Sequence, residues 1–282
     1  MQIITTIKEM QAFSKKLTAE GKSIGFVPTM GALHAGHMSL IRRSAEDNDV
    51  TVVSIFINPT QFGPNEDFNK YPKDHKGDME KMSGQNVDAV FLPEVAEMYP
   101  RGFSTFLYVG GIGCILCGTS RPDHFNGVAT VVSKLFNIVM PDRAYFGQKD
   151  FQQTVVIKKM VRELAFDIDI IVCPIVRESD GLAMSSRNSY LNAEERKAAL
   201  ILHSTLKYGK ELMTSGLEKD IPVIKDRMRA LIKSEPLAVL DYVEIVGPEH
   251  LEKLSEVKPP AVIVLAVKIG NTRLIDNIII DK

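Results

Sequence analysis

The sequence predicts an α/β fold, in which a parallel sheet flanked by helices is followed by a smaller α+β domain. Short apolar runs alternate with stretches whose apolar residues recur at helical spacing, the pattern of βα units in a parallel sheet. After Ile175 that alternation stops, and a polar, Gly- and Ser-rich stretch at 177–188 leads into two long helical patterns and three short strand patterns. With 282 residues, 45% of them hydrophobic, the chain has apolar material for one large core or two. We therefore divide it into a first domain at 1–176 and a second at 177–282.

The first strand is expected at 24–27, an apolar run ended by Pro28, and further strands at 50–57, 87–92, 143–146 and 168–173. Between them, helices are expected at 36–46, 73–83, 127–139 and 150–164, each with apolar residues on one face. This is a Rossmann-like layout, and in such a sheet ligands bind beyond the carboxyl ends of the strands. Three polar clusters follow strands and are expected to converge there: His34 with His37, Asn58-Pro59-Thr60-Gln61, and Gly147-Gln148-Lys149-Asp150. In the loop at 58–73, Phe62, Phe68 and Tyr71 are suited to covering a site. In the second domain, 192–214 reads as one long helix and 221–233 as another, and 239–246, 261–269 and 273–280 read as a small antiparallel sheet.

Composition narrows the function. A formal net charge of -1 argues against a protein that grips nucleic acid through a basic face. No stretch is apolar for the length of a membrane span, and the start lacks the basic segment and apolar core of a secretory signal, so a cytoplasmic location is expected. Three cysteines close no disulfide framework. Cys114 and Cys117 have no second pair to complete a zinc site, so buried reduced thiols are expected. No metal ligands are assigned.

The chemistry begins at Thr29-Met30-Gly31-Ala32-Leu33-His34-Ala35-Gly36-His37, where two imidazoles three residues apart open a helix directly after a strand. A helix amino end carries unpaired N–H groups and partial positive charge, so it favours anions such as phosphate. A second cluster, Met184-Ser185-Ser186-Arg187-Asn188, sets two hydroxyls beside a guanidinium, whose fork of donors suits phosphate oxygens. Taken singly, each segment could equally be an ordinary Gly-rich turn or a capped linker.

Together, the two segments resemble the signatures of adenylate-forming nucleotidyltransferases related to class I aminoacyl-tRNA synthetases. A closer resemblance is to the pantothenate synthetase, or pantoate–beta-alanine ligase, family. It rests on five segments in order: Pro28 to His37, Phe56-Ile57-Asn58-Pro59-Thr60-Gln61-Phe62, Arg121-Pro122-Asp123-His124-Phe125-Asn126-Gly127-Val128, Phe146-Gly147-Gln148-Lys149-Asp150 with Gln153, and Met184 to Asn188.

This resemblance implies an ATP-dependent condensation of pantoate with beta-alanine to pantothenate. It would proceed through a pantoyl adenylate and release pyrophosphate and AMP. ATP would be bound by Met30, Gly31, Ala32, Leu33, His34, Ala35, Gly36, His37, Gly147, Gln148, Lys149, Asp150, Val176, Met184, Ser185, Ser186 and Arg187, with His34, His37, Lys149 and Arg187 catalytic. Gln61 and Gln153 would hold pantoate, with Asn58 and His124 near the substrates. Mg²⁺ would accompany ATP, a homodimer is implied, and the second domain would act as a lid. One departure is Asp123, where the family pattern leads us to expect glycine. Other readings remain open: transfer of AMP to a phosphate acceptor, a silent nucleotide binder and, least supported, a tRNA-binding protein.

Overall fold

The computed structural model describes residues 1–64, 66–216 and 218–281. The first strands and helices run β1 Gln2–Ile4, α1 Ile7–Ala19, β2 Ile24–Thr29, α2 Ala35–Asp47, β3 Val50–Ile55, α3 His75–Met82 and β4 Ala89–Phe91. They continue through two short helices, α4 Val95–Met98 and α5 Cys117–Ser120, to α6 His124–Val139, β5 Arg143–Gly147, α7 Phe151–Glu163 and β6 Asp169–Cys173.

All six strands are parallel, in the order β1-β4-β3-β2-β5-β6. The central strands are buried on both faces, which is why they read as continuous apolar runs: Ile24, Phe26, Val27, Val52 and Val53 are fully buried. Strand order reverses at β2, whose neighbours are β3 on one side and β5 on the other. The crevice of such a sheet opens at this reversal. The loop after β2 carries the two histidines, and Gly147 ends β5.

The remaining elements are α8 Ala193–Ala198, α9 Leu200–Thr214, α10 Ile221–Lys233, β7 Ala238–Val246, β8 Ala261–Ile269 and β9 Thr272–Ile280. The last three form an antiparallel sheet with β8 in the middle. Its apolar face packs with α9 and α10 around Leu202, Leu206, Ile224, Met228, Ile263 and Leu265.

Packing divides the chain into two compact units: residues 1–147 with 156–174, and residues 148–155 with 175–282. The sequence boundary at 176/177 leaves 148–155 in the first domain. In the structure these residues group with the second unit, because the turn Gln148–Asp150 is hydrogen-bonded to Asn277 of β9.

Some elements differ from expectation. β1 is too short to show a period, and α1 escaped notice although Thr6 and Glu9 form a capping pair: the Thr6 hydroxyl accepts the Glu9 N–H at 3.3 Å. The helix expected at 192–214 is two helices, separated where the Leu202 N–H bonds the Ala199 carbonyl three residues back. Cys117 and Cys173 are buried, but Cys114 is exposed, and none of the three forms a disulfide. Among the described residues no helix is long and apolar enough to cross a membrane.

Candidate active site

In the first unit, the loop between β2 and α2 is built on two consecutive residues with left-handed backbone, Gly31 (φ 82°) and Ala32 (φ 50°). Such a conformation costs a non-glycine residue roughly 1 kcal/mol or more, so something must hold Ala32 in place. That group is Asp78, a buried residue of α3 whose carboxylate accepts the N–H groups of Ala32 at 2.9 Å and Leu33 at 2.7 Å. Glycine suits the backbone angle at Gly31, where a Cβ would also make tight contacts of 3.0 Å with Asp78 Oδ2 and 3.1 Å with Ile55 Cγ2. Sequence reasoning missed Asp78; a lone Asp in a helix has no motif around it.

The loop leads to His34, the N-cap of α2, and His37 in its first turn. His34 Nδ1 accepts the Gly36 N–H at 3.2 Å, and His37 Nδ1 accepts the His34 N–H at 3.3 Å. A neutral imidazole that accepts at Nδ1 carries its proton at Nε2, so both rings present Nε2–H donors. The ring centroids are 4.1 Å apart, an arrangement suited to neighbouring oxygens of a polyphosphate. The N–H groups of Gly31, Ala32, Leu33 and His34 all serve protein acceptors. An anion at this loop would therefore meet the imidazoles and the remainder of the helix end, with Met30, Ala35 and Gly36 in the backbone around them.

Gln61, in the turn Pro59–Gln61 after β3, donates from Nε2 to Met30 Sδ at 3.3 Å and accepts at Oε1 from Asn58 at 3.0 Å. Asn58 and Gln61 are thereby brought against the histidine loop. Asn58 is 1% exposed, and its amide also donates to the Gly127 carbonyl while its oxygen accepts the Tyr99 hydroxyl at 2.8 Å. Burial pushes the Tyr99 phenol above its ordinary pKa, keeping it a neutral donor.

His124 also turns to Gln61. Arg121 can only donate, so its 3.0 Å contact makes His124 Nε2 an acceptor, and Nδ1–H then donates to the Gln61 carbonyl at 2.9 Å. Arg121 is held in turn by a bidentate pair with Glu66 at 2.6 Å. The sequence reading set Asn58 and His124 near the substrates; the structure brings both against Gln61, Asn58 through its amide and His124 through Nδ1. Asp123 adopts the left-handed conformation (φ 64°) that a glycine would take and starts α6 at His124. The departure therefore leaves the turn intact, Asp being among the residues that tolerate this region.

In the second unit, Gln148, Lys149 and Asp150 form one turn, Lys149 is mostly buried, and Gln153 lies half-buried in the first turn of α7. Val176 and Met184 are brought face to face: the Met184 N–H bonds the Val176 carbonyl at 2.9 Å across a hairpin that also pairs Arg177 with Ala183. Within this polar, Gly- and Ser-rich stretch Leu182 and Ala183 are buried and anchor the hairpin. Ser185 caps the turn Ser186–Tyr190, its hydroxyl accepting the Arg187 N–H at 3.3 Å, so Ser186 and Arg187 follow on one ordered turn.

A doubly wound parallel sheet with paired imidazoles beside its strand-order reversal defines a Rossmann-like α/β protein. The family profile for pantoate-beta-alanine ligase matches residues 2–279. A curated pantothenate synthetase from Caldicellulosiruptor bescii is 54% identical over 281 residues, covering 100% of this chain and 99% of its own. The crystal structure of pantothenate synthetase from Thermus thermophilus superimposes with a TM-score of 0.95 at 41% identity, covering 100% of both chains. That of a Francisella tularensis pantoate-beta-alanine ligase, complexed with beta-gamma ATP and beta-alanine, gives 0.82 at 36% identity over 99% of this chain and 97% of its own. The chain belongs to the pantoate–beta-alanine ligase family, and its activity is the joining of pantoate to beta-alanine.

Proposed function

We propose that the chain performs this ligation in two ATP-dependent steps. A carboxylate oxygen of pantoate attacks the α-phosphorus of ATP, forming pantoyl adenylate as the bond to pyrophosphate breaks. The unprotonated amine of beta-alanine then attacks the acyl carbon, AMP leaves with the electron pair of the broken C–O bond, and the nitrogen loses a proton to give the amide of pantothenate.

The observation that carries this reading is the pair of Nε2–H donors at His34 and His37, held by Nδ1 contacts at 3.2 and 3.3 Å. Negative charge moves onto the departing pyrophosphate in the first step, and donors already oriented toward it stabilise the transition state more than the bound substrate. Lys149, Ser185, Ser186 and Arg187 are assigned to the phosphates, Gly147 and Asp150 to the ribose, and Val176 and Met184 to adenine. Gln61 and Gln153 offer uncharged amides to the hydroxyls and carboxylate of pantoate, so the nucleophile is oriented without a cation that would blunt it.

Mg²⁺ accompanies ATP in this proposal. Among the described residues no group of three or more His, Cys, Asp or Glu is arranged to hold a metal ion. The donors at the imidazole pair are N–H groups, so phosphates and water would supply the ligands of the ion. A homodimer is proposed from family membership, with sedimentation velocity as its test. A cytoplasmic location is proposed because it fits a biosynthetic enzyme of this family.

The decisive experiment incubates the protein with ATP, Mg²⁺ and pantoate, with and without beta-alanine, and follows pyrophosphate, AMP and pantothenate by mass spectrometry. Pyrophosphate release that needs pantoate alone, with AMP and pantothenate appearing on adding beta-alanine, is expected. ADP as product, or no pantoate-dependent pyrophosphate, would reject the adenylate route.

A further inference from the structure

Residues 189–282 contribute nothing to the sites assigned above, yet a buried amide from this stretch reaches the Lys149 turn. Asn277 lies in β9 and is 2% exposed. Asparagine is disfavoured in strands, and a buried amide is costly unless its donors and acceptor are met. Asn277 Nδ2 donates to the carbonyls of Gln148 at 2.9 Å and Lys149 at 3.1 Å, while Oδ1 accepts from Gln148 Nε2 at 3.0 Å. Two carbonyls on one side and an amide donor on the other leave the side chain one sensible orientation.

The neighbouring residue extends the arrangement. The buried carboxylate of Asp276 accepts the Asn277 N–H at 2.8 Å and both terminal nitrogens of Arg177 at 2.7 and 3.0 Å. Arg177 also donates to the Gly181 carbonyl at 3.0 Å, inside the hairpin that pairs Val176 with Met184. Two segments assigned to ATP are thus fastened to adjacent residues of one strand.

We propose that Asn277 is a positioning residue for Lys149, holding the two carbonyls of the turn from which the lysine projects, with the Asp276–Arg177 pair keeping Asn277 in place. The turn Gln148–Asp150 is a single three-residue 3-10 turn ahead of α7, and such turns have poorer hydrogen-bond geometry than an α-helix. Without Asn277 its carbonyls lose these two bonds and the turn is freer to shift, carrying the root of Lys149 with it. This inference rests on the assignment of Lys149 to the ATP phosphates.

The test measures pantoate-dependent pyrophosphate release in single turnovers for the full-length wild type, Asn277→Ala, Lys149→Ala and the double variant, with thermal midpoints recorded alongside. Asn277→Ala is expected to lower kcat/KM for ATP roughly 10- to 100-fold, as misplacement of a reacting group by about 1 Å does. In the Lys149→Ala background the same substitution should change the rate by less than about 3-fold, because residues acting as one unit are not additive. Equal fold-losses in both backgrounds would mark a general structural role and overturn the proposal, as would an Asn277→Ala protein that matches wild type. Asn277→Ser, whose short hydroxyl cannot span both carbonyls, carries the same comparison if the alanine protein does not accumulate. A wild type without pantoate-dependent turnover would bring down the underlying reading and this inference with it, an outcome distinct from an active wild type beside an unaffected variant.

Discussion

His37 gives the sharpest expectation at the residue scale. Its Nδ1 is occupied by the His34 N–H, so its chemistry toward a ligand is that of one N–H donor. His37→Ala should slow pantoate-dependent pyrophosphate release by roughly 100- to 1000-fold, the loss typical of one oriented donor to developing charge, with little change in KM for pantoate. A weaker pantoate affinity at an unchanged adenylation rate would remove His37 from the phosphates. Asp78 tests the loop beneath it: Asp78→Asn keeps the shape but turns an amide NH2 toward one of the two N–H groups that the carboxylate accepts. A loss of about 2 kcal/mol in urea unfolding is expected, since a buried charge-assisted acceptor has been replaced by a mismatched donor. An unchanged midpoint would show that the left-handed loop supports itself.

At the scale of elements, α6 acts on the site by how closely it approaches the turn Pro59–Gln61. A Cβ at Gly127 would sit 2.3 Å from the Thr60 carbonyl oxygen, a backbone atom that cannot swing aside. Gly127→Ala should therefore push the turn away from the helix, costing about 1–3 kcal/mol of stability as overpacking does, and should raise KM for pantoate through Gln61. Paired thermal and kinetic measurements check this; a stable variant with wild-type pantoate kinetics would show that the turn is not held by α6. The same helix shows what periodicity conveys and what it does not. Its apolar spacing announced a helix, but its start at His124 depends on the backbone angle of Asp123, and its close approach on the absence of one carbon.

At the scale of the molecule, acid should loosen the first unit through Glu66. Burial acts to raise the Glu66 carboxyl, but the hydrogen bonds and charge of Arg121 outweigh it and hold the group below its ordinary value of 4.5. A carboxylate with a depressed folded pKa binds fewer protons than in the unfolded chain. Its contribution is thus complete above about pH 4.5 and disappears as pH falls through the folded value. Thermal midpoints from pH 6 to about pH 3 should fall less steeply for Glu66→Gln than for wild type. Parallel curves would place the acid sensitivity elsewhere.

The parallel sheet, most of its helices and the C-terminal antiparallel sheet were legible in the order of residues, because each is announced by a pattern within about a dozen positions. The segment that carries His34 and His37 belongs to this class: strand, turn and helix start all lie within a few positions of one another. Only tertiary structure assigned Asn58 and His124 to Gln61, brought Asp78 beneath the histidine loop, and set Asn277 on the Gln148–Lys149 turn, 128 and 129 positions away in sequence. A side chain that satisfies distant backbone groups leaves no local period or motif; its partners exist only once the buried carbonyls and N–H groups of other elements must be met.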